Sequence, residues 1–418
     1  MLLLMFLALA FVGVPIAYAM GLSTIVALIV LEVPLAVFFT RTIASINSSS
    51  LLAIPFFIVA GDILTVGGIS KRLIAFANAT VGWARGGLAM VNVLASMLFA
   101  GVSGSAAADT VAVGGVMIPA MKRSGYDPGF SVAVTAASSV IGPIIPPSVL
   151  LIIYGGITGV SIGALFIAGV IPGIFLGLML LALSWWIGKE QVGRQGGFKI
   201  REVLIAMRKS VLGLVLPIGL VLGIIGGVFT ATEAGVMIVI YALLVSMLVY
   251  RELTIREIAP VLIRSTVLTG VLMLLVAMAA GFAWILAYTR VPATILGALT
   301  NLSTNPTILM LIVVGFLLVF GMFVETVAAT IITVPVLFPL GETLGYDPLH
   351  FALVIVMTLL IGTITPPLGI LLYICAGLGD VSIPKAIRAA LPFMLILVVT
   401  VVVVALIPAL VTWLPGLM

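Results

Sequence analysis

Residues 101–147 read GVSGSAAADTVAVGGVMIPAMKRSGYDPGFSVAVTAASSVIGPIIPP, and residues 321–367 read GMFVETVAATIITVPVLFPLGETLGYDPLHFALVIVMTLLIGTITPP. At a constant offset of 220 positions Gly101, Thr110, Pro119, Gly125, Tyr126, Asp127, Pro128, Gly142, Pro146, Pro147, Gly159 and Pro172 meet identical residues. From 101 to 172, 19 of 72 positions agree without a gap, far above chance even in so apolar a chain. Each copy runs in the same order: an apolar segment, a polar tip, a second apolar segment, a GYDP turn, then a helix-length segment broken by two adjacent prolines. Two such copies are the mark of a secondary transporter built from internal repeats, with its site where the helices break.

Composition sets the solvent. Hydrophobic residues make up 63% of the 418 and charged residues 7%, and uncharged stretches of roughly 20 residues, enough to cross a bilayer, recur from end to end. The chain is therefore expected to be an all-α polytopic membrane protein. Its apolar N-terminus lacks a charged leading segment and reads as a first membrane helix rather than a signal peptide. A single cysteine, Cys375, excludes an intramolecular disulfide and any multi-thiolate metal site. The net charge of +5 reports topology, not nucleic-acid binding, because the basic residues sit in short loops between spans.

Taken in order, residues 1–33 read as two spans or one bent at Gly13-Val14-Pro15. A polar connection at 34–50 and a span at 51–69 follow, and then an amphipathic stretch from Lys71 to Arg85. The segment 86–122 is read as a re-entrant hairpin with its tip at Ser103, Gly104 and Ser105, since such backbone is tolerated at depth only when buried in protein or lining a wet cavity. A broken traverse at 128–160 and a span at 161–187 complete a first repeat, 1–187. A polar joint, 188–209, leads to a second, 210–418, with spans at 210–226 and 232–250, a charged connection at 251–264 and a further span to about 289. Its hairpin covers 306–342 and its broken helix 348–378. If the joint is cytoplasmic, only Arg41 and Arg290 of the 18 Lys and Arg fall on the outer side, in keeping with the positive-inside bias. The halves are then inverted and both termini periplasmic.

Proline in mid-span leaves the carbonyl four residues back without its donor, and such oxygens can serve as ligands to a dehydrated cation beside oriented half-helix dipoles. Two sodium sites are expected. One lies between Ser103, Gly104, Ser105 and the break carrying Gly142, Pro143, Ile144, Pro146 and Ser148. The other lies between Gly321, Glu325, Thr326 and the break carrying Gly362, Thr363 and Thr365. The alternative is that the prolines only kink and the small residues only pack. Ser103, Asp109, Glu325, Thr330, Pro147 and Pro367 are candidates for the substrate region. Intramembrane acids default to functional candidates, although Asp109 and Glu325 could equally accept backbone donors that hold a hairpin shut. Glu233, in TATEAG, suits a helix cap, Asp62 a packing role, and Asp127 and Asp347 the opening of the next helix. No cofactor other than the coupling ion is expected.

At GVSGSAAADTVAVG, GYDP, SSVIGPIIPPS, TEAG and GTITPPLG the chain resembles the large membrane subunit of the tripartite ATP-independent periplasmic (TRAP) transporters, over essentially its whole length. That resemblance implies an elevator-type, sodium-driven importer in the inner membrane, not an enzyme. Its implied partners are a small four-span membrane subunit, a periplasmic substrate-binding protein that delivers an organic acid such as a dicarboxylate or a sialic acid, and membrane lipid. It also implies a moving domain of hairpins and broken helices on a scaffold that includes amphipathic segments around 37–48 and 71–83. With no extra four-span module at its start, the chain is expected to meet the small subunit as a separate polypeptide. A stand-alone sodium-coupled anion symporter or antiporter of the same architecture is the nearest rival, and a passive channel a further one. The GxSG at 101–104 also matches an intramembrane serine protease, which would need His350 at membrane depth as its base.

Overall fold

A computed structural model of the chain describes residues 2–48, 51–192 and 197–417. Among these residues every regular element is helical. Six helices are long and apolar enough to cross a membrane, and two pairs bent by 66° and 119° raise the number to eight. Burial of their apolar faces against one another is accompanied by a broad lipid-ready surface; α-helices satisfy their backbone internally, which the hydrocarbon demands.

The first half opens with α1 (Leu2–Phe11) and α2 (Ile16–Val30), parted at Gly13 and Pro15. The connection read as 34–50 contains a helix, α3 (Ala36–Ile46); Ser49 and Ser50 lie outside the described residues. After α4 (Ala53–Val66), left-handed Gly68 turns the chain into α5 (Ile69–Val81). The hairpin comprises α6 (Gly87–Ser103), α7 (Ala106–Ala112) and α8 (Gly114–Arg123). Tyr126, just past its exit, stands against the backbone of Leu88 and Ala89 at its entrance, so the segment enters and leaves on one side. The broken traverse is α9 (Pro128–Ser139) and α10 (Val149–Thr158), followed by α11 (Ile162–Gln191).

The second half repeats the plan after α12 (Ile200–Ile225), α13 (Ala231–Leu244, prolonged by a π-turn) and α14 (Ile255–Tyr288). Helix α15 (Val291–Leu302) precedes the second hairpin as α5 precedes the first, and it occupies residues to which the sequence reading gave no element. That hairpin is α16 (Pro306–Gly321) and α17 (Thr326–Thr343); the broken traverse is α18 (Pro348–Gly362) and α19 (Ile370–Gly379), closed by α20 (Ile383–Leu406).

Two connections are shorter than expected. The joint read as 188–209 narrows because α11 continues to Gln191 and α12 begins at Ile200. Polar residues are accommodated on these ends: Lys189 lies 4.9 Å above the Trp185 ring, and Lys199 pairs with Glu202 at 2.8 Å. Arg194 falls outside the described residues. The charged stretch 251–264 is mostly helix, since Thr254 and Glu257 form a capping box that starts α14. Arg41 lies on α3 and Arg290 is the left-handed N-cap of α15.

The repeats interlock through their broken helices. The second segment of the later one, α19, packs on α7, α8 and α9, and that of the earlier one, α10, packs on α17, where Tyr154 and Phe338 meet edge-on at 6.4 Å. Lys122 at the end of α8 donates to Gly379 O at the end of α19 (2.6 Å), and Lys385 on α20 meets Asp127 at 2.6 Å.

Candidate cation and substrate site

Each hairpin tip lies against the proline break of its own repeat. In the first, Ser103 ends α6, left-handed Gly104 (φ 60°) caps it with its N–H on Ala100 O, and Ser105 begins α7 by accepting from the Ala108 N–H (3.4 Å). A Cβ on Gly104 would collide with Pro147 O, and one on Gly142 would stand 3.2 Å from Ser105 O. Helix α4 closes the other side, where Gly61 approaches Ser103 O. In the second repeat the Leu368 N–H donates to Met322 O at 3.2 Å, and a Cβ on Gly362 would collide with the Gly321 backbone. The close approach in both repeats needs hydrogen in place of a side chain.

The breaks leave backbone oxygens idle. Between α9 and α10 the peptide Pro146-Pro147 is cis, as is Pro366-Pro367 between α18 and α19. Among the described residues the carbonyls of Gly142, Ile145, Pro146 and Pro147 accept no hydrogen bond from the chain, and neither do those of Ile364, Thr365 and Pro366. Pro143 O is taken by the Ser148 hydroxyl (2.5 Å), which also accepts from the Leu151 N–H and so caps α10. Ile144 O presses on Gly169 of α11. The Thr363 and Thr365 hydroxyls donate to Leu360 O and Ile361 O (2.5 and 2.8 Å), which leaves their lone pairs available. At the second tip, Thr326 Oγ1 is buried with no partner at all. Neutral oxygens of this kind, converging from a tip and a break, are the donor set that a hard alkali cation accepts. Among the described residues no three His, Cys, Asp or Glu side chains cluster to hold a metal.

The acids divide by role. Glu325 caps α17, its Oε2 accepting from the Val327 and Ala328 N–H groups at 3.0 and 3.1 Å. Thr330, one turn on, donates back to Thr326 O. Asp109 does not face the tip; it is wholly buried behind it, its Oδ2 accepting from Ser96 at 2.8 Å. Asp62 pairs with Arg264 (2.6 Å) and Ser265 (2.7 Å), tying α4 to α14, and Glu233 completes a capping box with Thr230. Asp127 and Asp347 cap α9 and α18. Burial alone would push the Asp127 carboxyl up, but the Lys385 hydrogen bond, the Phe130 N–H and the Lys385 charge together hold it below the usual carboxylate range. His350 bonds to Val404 O at 2.9 Å on α20, not to Ser103, so the pair a serine protease needs is not formed.

The two breaks differ in exposure: Pro146 and Pro147 are buried, whereas Pro367 and Leu368 are exposed, as are Phe323 and Glu325 at the facing tip. The second tip is thus the accessible one. A surface pocket of about 500 Å³ near Gly159 and Thr230 includes none of these residues.

Sequence reasoning passed over two contributors to these meetings, Gly61 and Met322. It also passed over Asn92, buried on α6 away from them, for which a lone amide in an apolar run was the available signal.

Two repeats, each with a re-entrant hairpin and a paired helix break, have the architecture of a multi-pass membrane transporter. The chain matches the family model "Tripartite ATP-independent periplasmic transporter, DctM component" over residues 3–410, and it belongs to that family as a large permease subunit. A C4-dicarboxylate TRAP transporter large permease protein of Pseudomonas aeruginosa is 40% identical over 368 residues, 88% of this chain and 86% of that one. A sialic acid TRAP transporter large permease protein of Vibrio cholerae is 35% identical over 98% of this chain and 97% of its own. Among solved structures, the Alcanivorax borkumensis YdaH transporter shares the fold at a TM-score of 0.60 and 15% identity, covering 89% of this chain and 88% of that one.

Proposed function

We propose that the chain is the transport subunit of a sodium-coupled, binding-protein-dependent importer of a small organic acid. The observation that carries this reading is the duplicated meeting of a hairpin tip with a proline break that leaves carbonyls unengaged. Sodium held there neutralises some of the charge of an incoming carboxylate, so ion and substrate favour one another's binding. The hairpins and broken helices move together as an elevator against α3, α4, α5 and α12–α15, which support the small four-span subunit. Cross-repeat contacts such as Lys122 to Gly379 O bind the moving helices into a single body. Relatives named for C4-dicarboxylates and for sialic acid favour a carboxylate as the cargo. The joint at 192–199 is cytoplasmic in this reading, and both termini are periplasmic.

The test is uptake of radiolabelled carboxylates by proteoliposomes holding this chain, its small subunit and its binding protein under an inward sodium gradient. Uptake needing all four is the expected result. Uptake by the chain alone under the same gradient would establish the rival, a stand-alone sodium-coupled symporter.

A further inference from the structure

Behind the first tip, α6, α7 and α9 enclose a buried patch of oxygens. Asn92, Ser96, Asp109, Thr135, Ser138 and Ser139 are each fully buried. Asn92 stands one helical turn before Ser96, and Thr135 one turn before Ser139, so the two rows face each other with Asp109 beside them.

A donor count shows a deficit. The Thr135 hydroxyl donates to Ser131 O (2.7 Å), and those of Ser138 and Ser139 donate to Thr135 O (3.1 and 2.9 Å), although the Ser139 hydroxyl also lies within reach of the Asp109 carboxylate and has one hydrogen for the two. The Ser96 hydroxyl reaches Asp109 Oδ2 at 2.8 Å and Ser138 Oγ at 3.0 Å, and has one hydrogen for the two. Asn92 Nδ2 donates to Thr135 Oγ1 at 2.6 Å. Two acceptors remain with no partner, Asp109 Oδ1 and Asn92 Oδ1. Among the described residues no lysine or arginine pairs with Asp109. An unpaired carboxylate and an unpaired amide oxygen in one buried cluster are each costly, and one bound positive charge would relieve both.

We propose that Asp109 Oδ1 and Asn92 Oδ1, with the hydroxyls around them, bind one monovalent alkali cation inside the first hairpin. The cluster carries a single negative charge, which a monovalent ion balances and a divalent ion would overbalance in a buried setting. Its ligands are neutral oxygens plus one carboxylate, suited to a hard cation. The site is separate from the tip–break pairs and does not rest on their assignment, because none of its six residues belongs to either break. Occupied, it ties α6 to α7 and α9 and stiffens the hairpin whose tip meets Pro147.

The experiment counts sodium bound to the purified complex of this chain with its small subunit, using radioactive sodium at equilibrium without substrate. Asp109→Asn should bind one sodium fewer per complex than wild type, and Asn92→Ala should weaken the same ion about tenfold. Ser103→Ala is the control for the tip. Loss in Ser103→Ala with Asp109→Asn unchanged overturns the hairpin site and leaves the tip reading standing; the reverse supports the hairpin site and counts against the tip. A proton on Asp109 in place of a metal ion would leave the count in Asp109→Asn equal to wild type, which also overturns the proposal. Should Asp109→Asn fail to assemble, Asn92→Ala decides: unaltered sodium affinity excludes the site.

Discussion

Tyr346 donates its phenolic hydrogen to Pro306 O at 2.5 Å, joining the residue just past the exit of the second hairpin to the residue that opens it. Tyr126, its counterpart 220 positions earlier, faces Leu88 and Ala89 at the base of the first hairpin. The tyrosine of GYDP is therefore a clasp, and the neighbouring aspartate a cap, which explains why one tetrapeptide recurs in both repeats. Replacing Tyr346 with Phe removes one hydrogen bond, worth about 1 kcal/mol. Hydrogen exchange should speed up at 306–310 and 344–348 and stay unchanged in the first hairpin. Unaltered exchange at 306–310 would mean the clasp does not hold the base.

The tips are equally specific in what they exclude. Gly104→Ala places a methyl group against Pro147 O at a left-handed position, and Gly362→Ala places one against the Gly321 backbone. Each should cost about 1–3 kcal/mol through overpacking and cut uptake at least tenfold while leaving membrane insertion normal. Gly115→Ala, where a Cβ meets nothing within 4 Å, is the matched control and should transport as wild type.

The Asp127–Lys385 pair joins the first repeat to the second and titrates in a defined direction. Because the folded carboxyl sits below its ordinary value, its contribution is present above about pH 4 and disappears as the pH falls through the folded value. It is half exposed, so screening limits it to a few tenths of a kcal/mol. Thermal midpoints of wild type and Lys385→Met should therefore differ at pH 7 and converge towards pH 3. A constant difference across that range would assign the effect to packing instead.

Lys122 lies in the last turn of α8 and Arg290 caps α15, and the proposed inversion puts them on opposite faces of the membrane. Single cysteines at the two positions, in a Cys375→Ala background, should react with a membrane-impermeant maleimide from opposite sides of the inner membrane. Labelling of both from one side would refute the inversion.

Much of this organisation was legible in the chain. The register of 101–172 on 321–392 located both tips, both breaks and the GYDP turns, since glycine, proline and aspartate act through local backbone geometry. Connections were less legible: Glu202 and Glu257 lie in stretches read as loop by charge, yet each sits in the first turn of a helix whose N-cap is Lys199 or Thr254. Asp109 was placed by sequence near the tip, because residues 103 and 109 are neighbours in the chain. The return of α7 along α6 instead turns it inward to Ser96. Ser138, which shares the Ser96 hydroxyl with it, lies 29 positions further on, so only the folded hairpin brings them together.

The most direct measurement is the sodium dependence of uptake in Ser103→Ala and Thr365→Ala, one variant at each tip–break pair, in proteoliposomes with both partners present. The sodium concentration for half-maximal uptake should rise several-fold in each, with binding-protein affinity for the substrate unchanged. Wild-type sodium dependence in both variants would contradict the assignment of these breaks as the ion sites.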